Sequence, residues 1–127
     1  MKQSISESEW AVMEALWQLP GATLAQVVER LQGSGWQYTT IRTLLARLVE
    51  KGFVQAQRNG KASRYTATVP ADACRMEQAQ DFLGRVYRGS VAAMVSGLAR
   101  QGRVSRQEIT ELKQMIDAME ADDECQN

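Results

Sequence analysis

Tyr38, Thr39, Thr40, Arg42, Thr43 and Arg47 crowd into one short stretch, and Arg58, Lys61 and Arg64 follow closely. A guanidinium offers a planar fork of donors that fits a phosphate or the acceptor edge of guanine. A threonine brings a hydroxyl for a phosphate and a methyl for the methyl of thymine. Six basic side chains (Arg42, Arg47, Lys51, Arg58, Lys61, Arg64) stand between positions 36 and 70 against one acidic one, Glu50. A solvated surface of no special purpose mixes its charges; this stretch does not.

The whole chain of 127 residues has no net charge, which conceals an asymmetry. Residues 1–70 hold eight Lys/Arg and five Asp/Glu, a net of +3, whereas residues 71–127 hold seven and ten, a net of −3. One half is therefore suited to a polyanion and the other is not. The absence of histidine excludes Ser-His-Asp and Cys-His catalysis and every histidine-containing metal site. There is no GxGxxG or GxxxxGK[ST] phosphate loop either. Paired carboxylates such as Glu7/Glu9 and Asp122/Asp123 stand at a helix start and in a tail, where they cap and solvate. An enzyme is not expected, nor is a cofactor or a metal. Cys74 and Cys125 are far apart without CxxC spacing, which fits the reducing cytoplasm. No apolar run is long enough to span a membrane, and Met1-Lys2-Gln3-Ser4 lacks a signal peptide's apolar core.

The elements that must position these groups are well punctuated. Ser6-Glu7-Ser8-Glu9 predicts a capping box, with Ile5 and Trp10 as its hydrophobic staple. The helix that follows carries Trp10, Met13, Leu16 and Trp17 on one face and stops before Pro20-Gly21. Thr23-Leu24-Ala25-Gln26 predicts a second capping box, opening a helix with Leu24, Val27, Val28 and Leu31 as its stripe and Gly33-Ser34-Gly35 at its close. A third helix is expected from about Thr39, with Ile41, Leu44, Leu45, Leu48 and Val49 inward and Gly52 at its end. The period then changes to strands over 53–58 and 62–69, with Asn59-Gly60 as a hairpin turn. Three helices and a basic hairpin, in this order, make the winged helix-turn-helix pattern. On it, the outer face of the third helix meets base edges and the hairpin meets backbone.

From Ala71 the pattern is helical again, with a break expected near Gly89-Ser90. Phe82, Val86, Tyr87 and Val91 keep a three-to-four spacing. Ser105-Arg106-Gln107-Glu108 predicts a third capping box, with Val104 and Ile109 as staple. Ile109, Leu112, Ile116 and Met119 then form a heptad-like seam, and the tail from Ala121 is expected to fray. So few residues cannot bury this much apolar surface alone, so the seam is expected to pair with a second copy, giving two third helices for a two-fold-symmetric duplex. The expected fold is mainly α with a small β-hairpin wing: an N-terminal winged helix-turn-helix over residues 1–70 and a C-terminal helical dimerisation domain over residues 71–127. Binding of a protein rather than DNA by the winged helix is the alternative.

Three stretches resemble the penicillinase-repressor family of BlaI/MecI/CopY-type winged-helix regulators. They are Ile5 to Met13 with Leu16-Trp17; Tyr38 to Leu48 with Lys51-Gly52-Phe53-Val54; and Phe82 to Tyr87 together with Ser105 to Leu112. The resemblance implies a homodimeric repressor of double-stranded operator DNA serving a β-lactam-resistance operon, or in the alternative a copper-responsive one. It places base reading on Thr39, Thr40, Arg42 and Thr43 and wing contacts near Arg58 to Arg64. It also implies a membrane sensor-protease as partner. Gly97-Leu98 stands where β-lactam-responsive members have Asn-Phe, and Cys125 is the only cysteine where copper-responsive members have paired CxC motifs.

Overall fold

A computed structural model describes residues 4–126, with side chains as far as Asp123. The elements are α1 (Glu7–Gln18), β1 (Ala22–Thr23), α2 (Leu24–Arg30), a 3-10 turn (Gln32–Ser34), α3 (Tyr38–Lys51), β2 (Val54–Asn59), β3 (Ala62–Ala67), α4 (Ala71–Tyr87), α5 (Val91–Arg100) and α6 (Arg106–Gln126). Two compact units form, Met1–Phe82 and Leu83–Asn127. Cys74, fully buried in the core of the first unit, fastens the start of α4 to it.

All three capping boxes form as their sequences dictate. Ser6 Oγ accepts from the Glu9 N–H while Glu9 Oε1 accepts from the Ser6 N–H. Thr23 and Gln26 exchange the same pair of bonds, and so do Ser105 and Glu108. The first unit's core gathers Val12, Met13 and Leu16 of α1, Val27 of α2, Ile41, Leu44, Leu45 and Leu48 of α3, and Phe53 and Val54 at the start of the hairpin. Trp10 and Trp17 flank it edge to face, 5.3 Å between ring centres, and Trp17 Nε1 donates to Val69 O at 2.9 Å. Val49, expected inward, is exposed, because it lies one step past the buried stripe.

The sheet has three strands in the order β1-β3-β2, all antiparallel, one more than the sequence signals. Ala22 and Thr23 pair with Tyr65 and Arg64, a two-residue bridge too short to leave a period. The hairpin turn is also one residue later than expected. Asn59 pairs with Ala62, so Gly60-Lys61 forms the loop. Gly60 alone in the loop has a positive φ, of 71°, the requirement of a two-residue turn that opens on glycine.

The second unit is built differently. Gly89, with φ of 84°, and Arg88, with φ of 52°, separate α4 from α5. Gly102 ends α5 in a left-handed turn, with the Arg103 N–H donating to Leu98 O at 2.9 Å. No side chain of this unit is fully buried among the described residues. The tail expected to fray is helical as far as Gln126. Cys125 falls on that last turn, with its side chain outside the described ones. Met1 to Gln3 lie outside the described residues altogether.

Sequence reasoning passed over one buried ion pair. Glu9 is 2% exposed, and its Oε1 accepts from Lys51 Nζ at 2.8 Å, tying α1 to the last turn of α3; Lys51 also donates to Ser4 O. Burial pushes the Glu9 carboxyl up. The hydrogen bonds from Lys51 and Ser6, with the Lys51 charge, outweigh it and leave the pKa below the usual 4.5. A depressed folded-state pKa gives stability that is present above the unfolded value and lost as pH falls through the folded one. Glu9→Gln keeps the capping geometry and removes this charge. The variant should be less stable than the parent at neutral pH, and the gap should narrow below about pH 4.5. Lys51→Met should cost about 1–3 kcal/mol at neutral pH by stranding the carboxylate. Urea denaturation at a series of pH values measures both effects, and a gap that does not change with pH counts against the pair's role.

Candidate nucleic-acid interface

The inner stripe of α3 fixes what its outer face shows. With Ile41, Leu44, Leu45 and Leu48 buried, Tyr38, Thr39, Thr40, Arg42, Thr43 and Arg47 are all exposed. Gln37 precedes the helix without a side-chain cap, and no acidic residue stands in its first turn. The positive end of the helix dipole is therefore not offset by a local carboxylate.

Gly52 couples this helix to the wing. It takes φ of 87°, its N–H donates to Val49 O at 3.1 Å, and the Phe53 N–H reaches back to Leu48 O at 3.0 Å. This is a Schellman turn, which leads the chain straight from α3 into β2. Thr68 then closes the base of the hairpin. Its hydroxyl donates to Gly52 O at 2.7 Å and its N–H to Phe53 O at 2.9 Å.

Helix and wing enclose a cleft of about 470 Å³ lined by Thr23, Leu24, Ala25, Tyr38, Arg42, Lys61, Ala62, Ser63 and Tyr65. Two cationic side chains from different elements and several hydroxyls thus share one concave surface, an arrangement suited to a phosphate. A shallower cleft of about 260 Å³ lies on the same helix and is lined by Thr39, Thr40, Thr43, Leu44 and Arg47. Helix α3 accordingly has two stripes, Tyr38 and Arg42 toward the wing and the threonines with Arg47 beside them.

The other basic residues named from sequence, beyond Arg42 and Arg47, divide three ways. Arg58 and Lys61 are exposed at the end of the hairpin, with Lys61 in its turn. Arg64 is exposed too, but its Nη1 donates to Gly21 O at 3.0 Å and ties β3 to the α1–α2 connection. Lys51, counted in the basic stretch, is turned to Glu9 and away from the outer face. Nothing in the charge pattern distinguishes these tethers. Only the pairing of β1 with β3, and the proximity of α1 to the end of α3, reveal them. Cys74 is fully buried, and burial and then the Glu77 charge push its thiol up, which makes it unreactive.

On the α4–α6 side, Phe82, Val86 and Val91 are exposed and Tyr87 is half-buried. Along α6, Ile109, Ile116 and Met119 are exposed while Leu112 is half-buried in a groove with Val95, Leu98, Val104 and Met115.

The chain is similar to known proteins. The family model for the penicillinase repressor matches residues 5–118. Methicillin resistance regulatory protein MecI of Staphylococcus aureus (strain N315) is 30% identical over 113 residues, covering 88% of this chain and 92% of MecI. A penicillinase repressor of Bacillus licheniformis is 30% identical over 114 residues, covering 89% of each chain. The solution structure of monomeric Bacillus licheniformis BlaI in complex with the blaP half-operator superposes with a TM-score of 0.50 at 27% identity. It covers 57% of this chain and 89% of that one. The chain belongs to the penicillinase repressor family.

Proposed function

We propose that this protein is a cytoplasmic, homodimeric transcriptional repressor that occupies a two-fold-symmetric operator and controls a β-lactam-resistance operon. The observation that carries the reading is the joint surface of α3 and the wing. There Tyr38, Thr39, Thr40, Arg42, Thr43 and Arg47 stand clear of the core, and Arg42 and Lys61 line one cleft from two elements. BlaI, similar over this region, is known in complex with a half-operator.

The second unit supports the dimer. A helical unit with no fully buried side chain among its described residues, and with Val86, Val91, Ile109, Ile116 and Met119 exposed, needs another surface to cover it. A second copy brings a second α3 at a fixed spacing. It also makes the second half-site contact intramolecular, so that loss of the dimer releases DNA without any change in α3. A membrane sensor-protease cutting the Met94 to Leu98 segment would achieve this by detaching α6. That segment is helical in α5, so it must unwind before a protease can grip it, and Gly97 within it lowers the cost of doing so.

Four measurements test this reading. On a cognate duplex, Arg42→Ala should cost about 1–3 kcal/mol and relax sequence preference. Lys61→Ala should weaken all duplexes alike and lower the slope of log K against log salt by about one. An Arg42→Ala variant with unchanged sequence preference overturns the assignment of α3. Ile116→Glu with Met119→Glu, at positions exposed in the single chain, should yield a folded monomer in sedimentation with weakened operator binding; a parent protein already monomeric at tens of micromolar removes the dimer. Derepressed cells should contain a shortened repressor on a blot, and full-length protein with the operon on excludes the protease.

A further inference from the structure

Among the exposed threonines of α3, Thr43 differs in what its side chain has left to offer. Its Oγ1 donates to Thr39 O at 2.9 Å. Among the described residues, the Thr39 and Thr40 hydroxyls make no such bond. A hydroxyl has one proton, and here it is committed to the helix backbone. Phosphate oxygens and the O6 and N7 of guanine only accept, so Thr43 has nothing to give them. Oγ1 is also drawn back along the helix toward the preceding turn. The other branch at Cβ, the methyl, is the part of the side chain that this bond leaves unengaged.

The surroundings agree with an apolar contact. Thr43 lines the shallow cleft with Thr39, Thr40, Leu44 and Arg47, and it is not in the basic cleft that Arg42 shares with the wing. Of the base edges in a major groove, only thymine presents a methyl group. We propose that Thr43 is a specificity-determining residue that selects thymine at one position of each half-site by methyl-to-methyl contact. The proposal rests on α3 being the DNA-reading helix and adds which base one of its residues demands.

The test uses the full-length protein and the duplex that it enriches most strongly from a randomised pool. Each thymidine of that duplex is replaced in turn by deoxyuridine, which removes the methyl and keeps the hydrogen-bonding edge. One replacement per half-site should weaken binding about fourfold, the worth of one buried carbon group. Thr43→Val keeps methyl groups without the hydroxyl and should retain that discrimination. Thr43→Ser keeps the hydroxyl without the methyl and should bind thymidine and deoxyuridine duplexes equally at that position alone. If Thr43→Ser keeps the full preference for thymidine at every position, or the enriched duplex has no methyl-sensitive thymidine, the proposal is wrong while DNA reading by α3 stands. If the parent protein enriches no sequence, the DNA-reading assignment fails and the proposal with it.

Discussion

Ile41, Leu44, Leu45 and Leu48 hold α3 at a single rotation about its axis. A helix lying on a core can in principle turn like a roller, and each residue step would carry a different set of side chains outward. Four buried residues at helical spacing, packed against Val12, Met13 and Leu16 of α1 and Val27 of α2, leave one setting with the apolar stripe out of water. Burying a side chain of this size is worth roughly 1.5–3 kcal/mol, so each wrong rotation exposes several such contributions at once. The identity of the outer face is thus decided by the inner one.

Several devices protect that setting at the ends of the helix. The Glu9–Lys51 pair fastens its last turn to the first turn of α1, within the same capping box that begins the chain's first helix. The Schellman turn at Gly52 and the two bonds from Thr68 seat the hairpin on it. Arg64 binds β3 to Gly21 from the opposite edge of the sheet. A buried ion pair is a poor source of net stability, because desolvation consumes much of the attraction. Its use here is geometric: it admits one registry of α1 against α3.

The sequence made most of this architecture legible because its signals are local. Capping boxes are read from residues three apart, and the apolar stripes of α1, α2 and α3 repeat within a few turns. What escaped depends on contacts between distant parts of the chain. β1 is two residues long and exists only because β3 lies beside it. The hairpin turn fell on Gly60-Lys61 because the register of β2 and β3, with Val54 facing Ala67 and Gln57 facing Arg64, outweighed the preference of Asn59-Gly60. The candidate site behaved likewise. Residue type and helical period placed Tyr38, Thr39, Thr40, Arg42, Thr43 and Arg47 on the outer face, yet type alone could not separate Lys61, exposed at the turn, from Lys51, spent on Glu9.

The Schellman turn also makes α3 a measured length. Its glycine must stand at the residue where the helix stops, and β2 begins almost at once. Each residue of an α-helix advances the chain by about 100° of rotation. One residue added or lost between Leu48 and Gly52 would swing the hairpin by that angle and take Lys61 out of the cleft that it lines with Arg42. Substitutions on the outer face leave this geometry untouched. On the proposed function, diversification is therefore confined to changes of letter at constant word length: new operators would become accessible through the side chains of α3, while the spacing from Ile41 to Gly52 stays a fixed gauge.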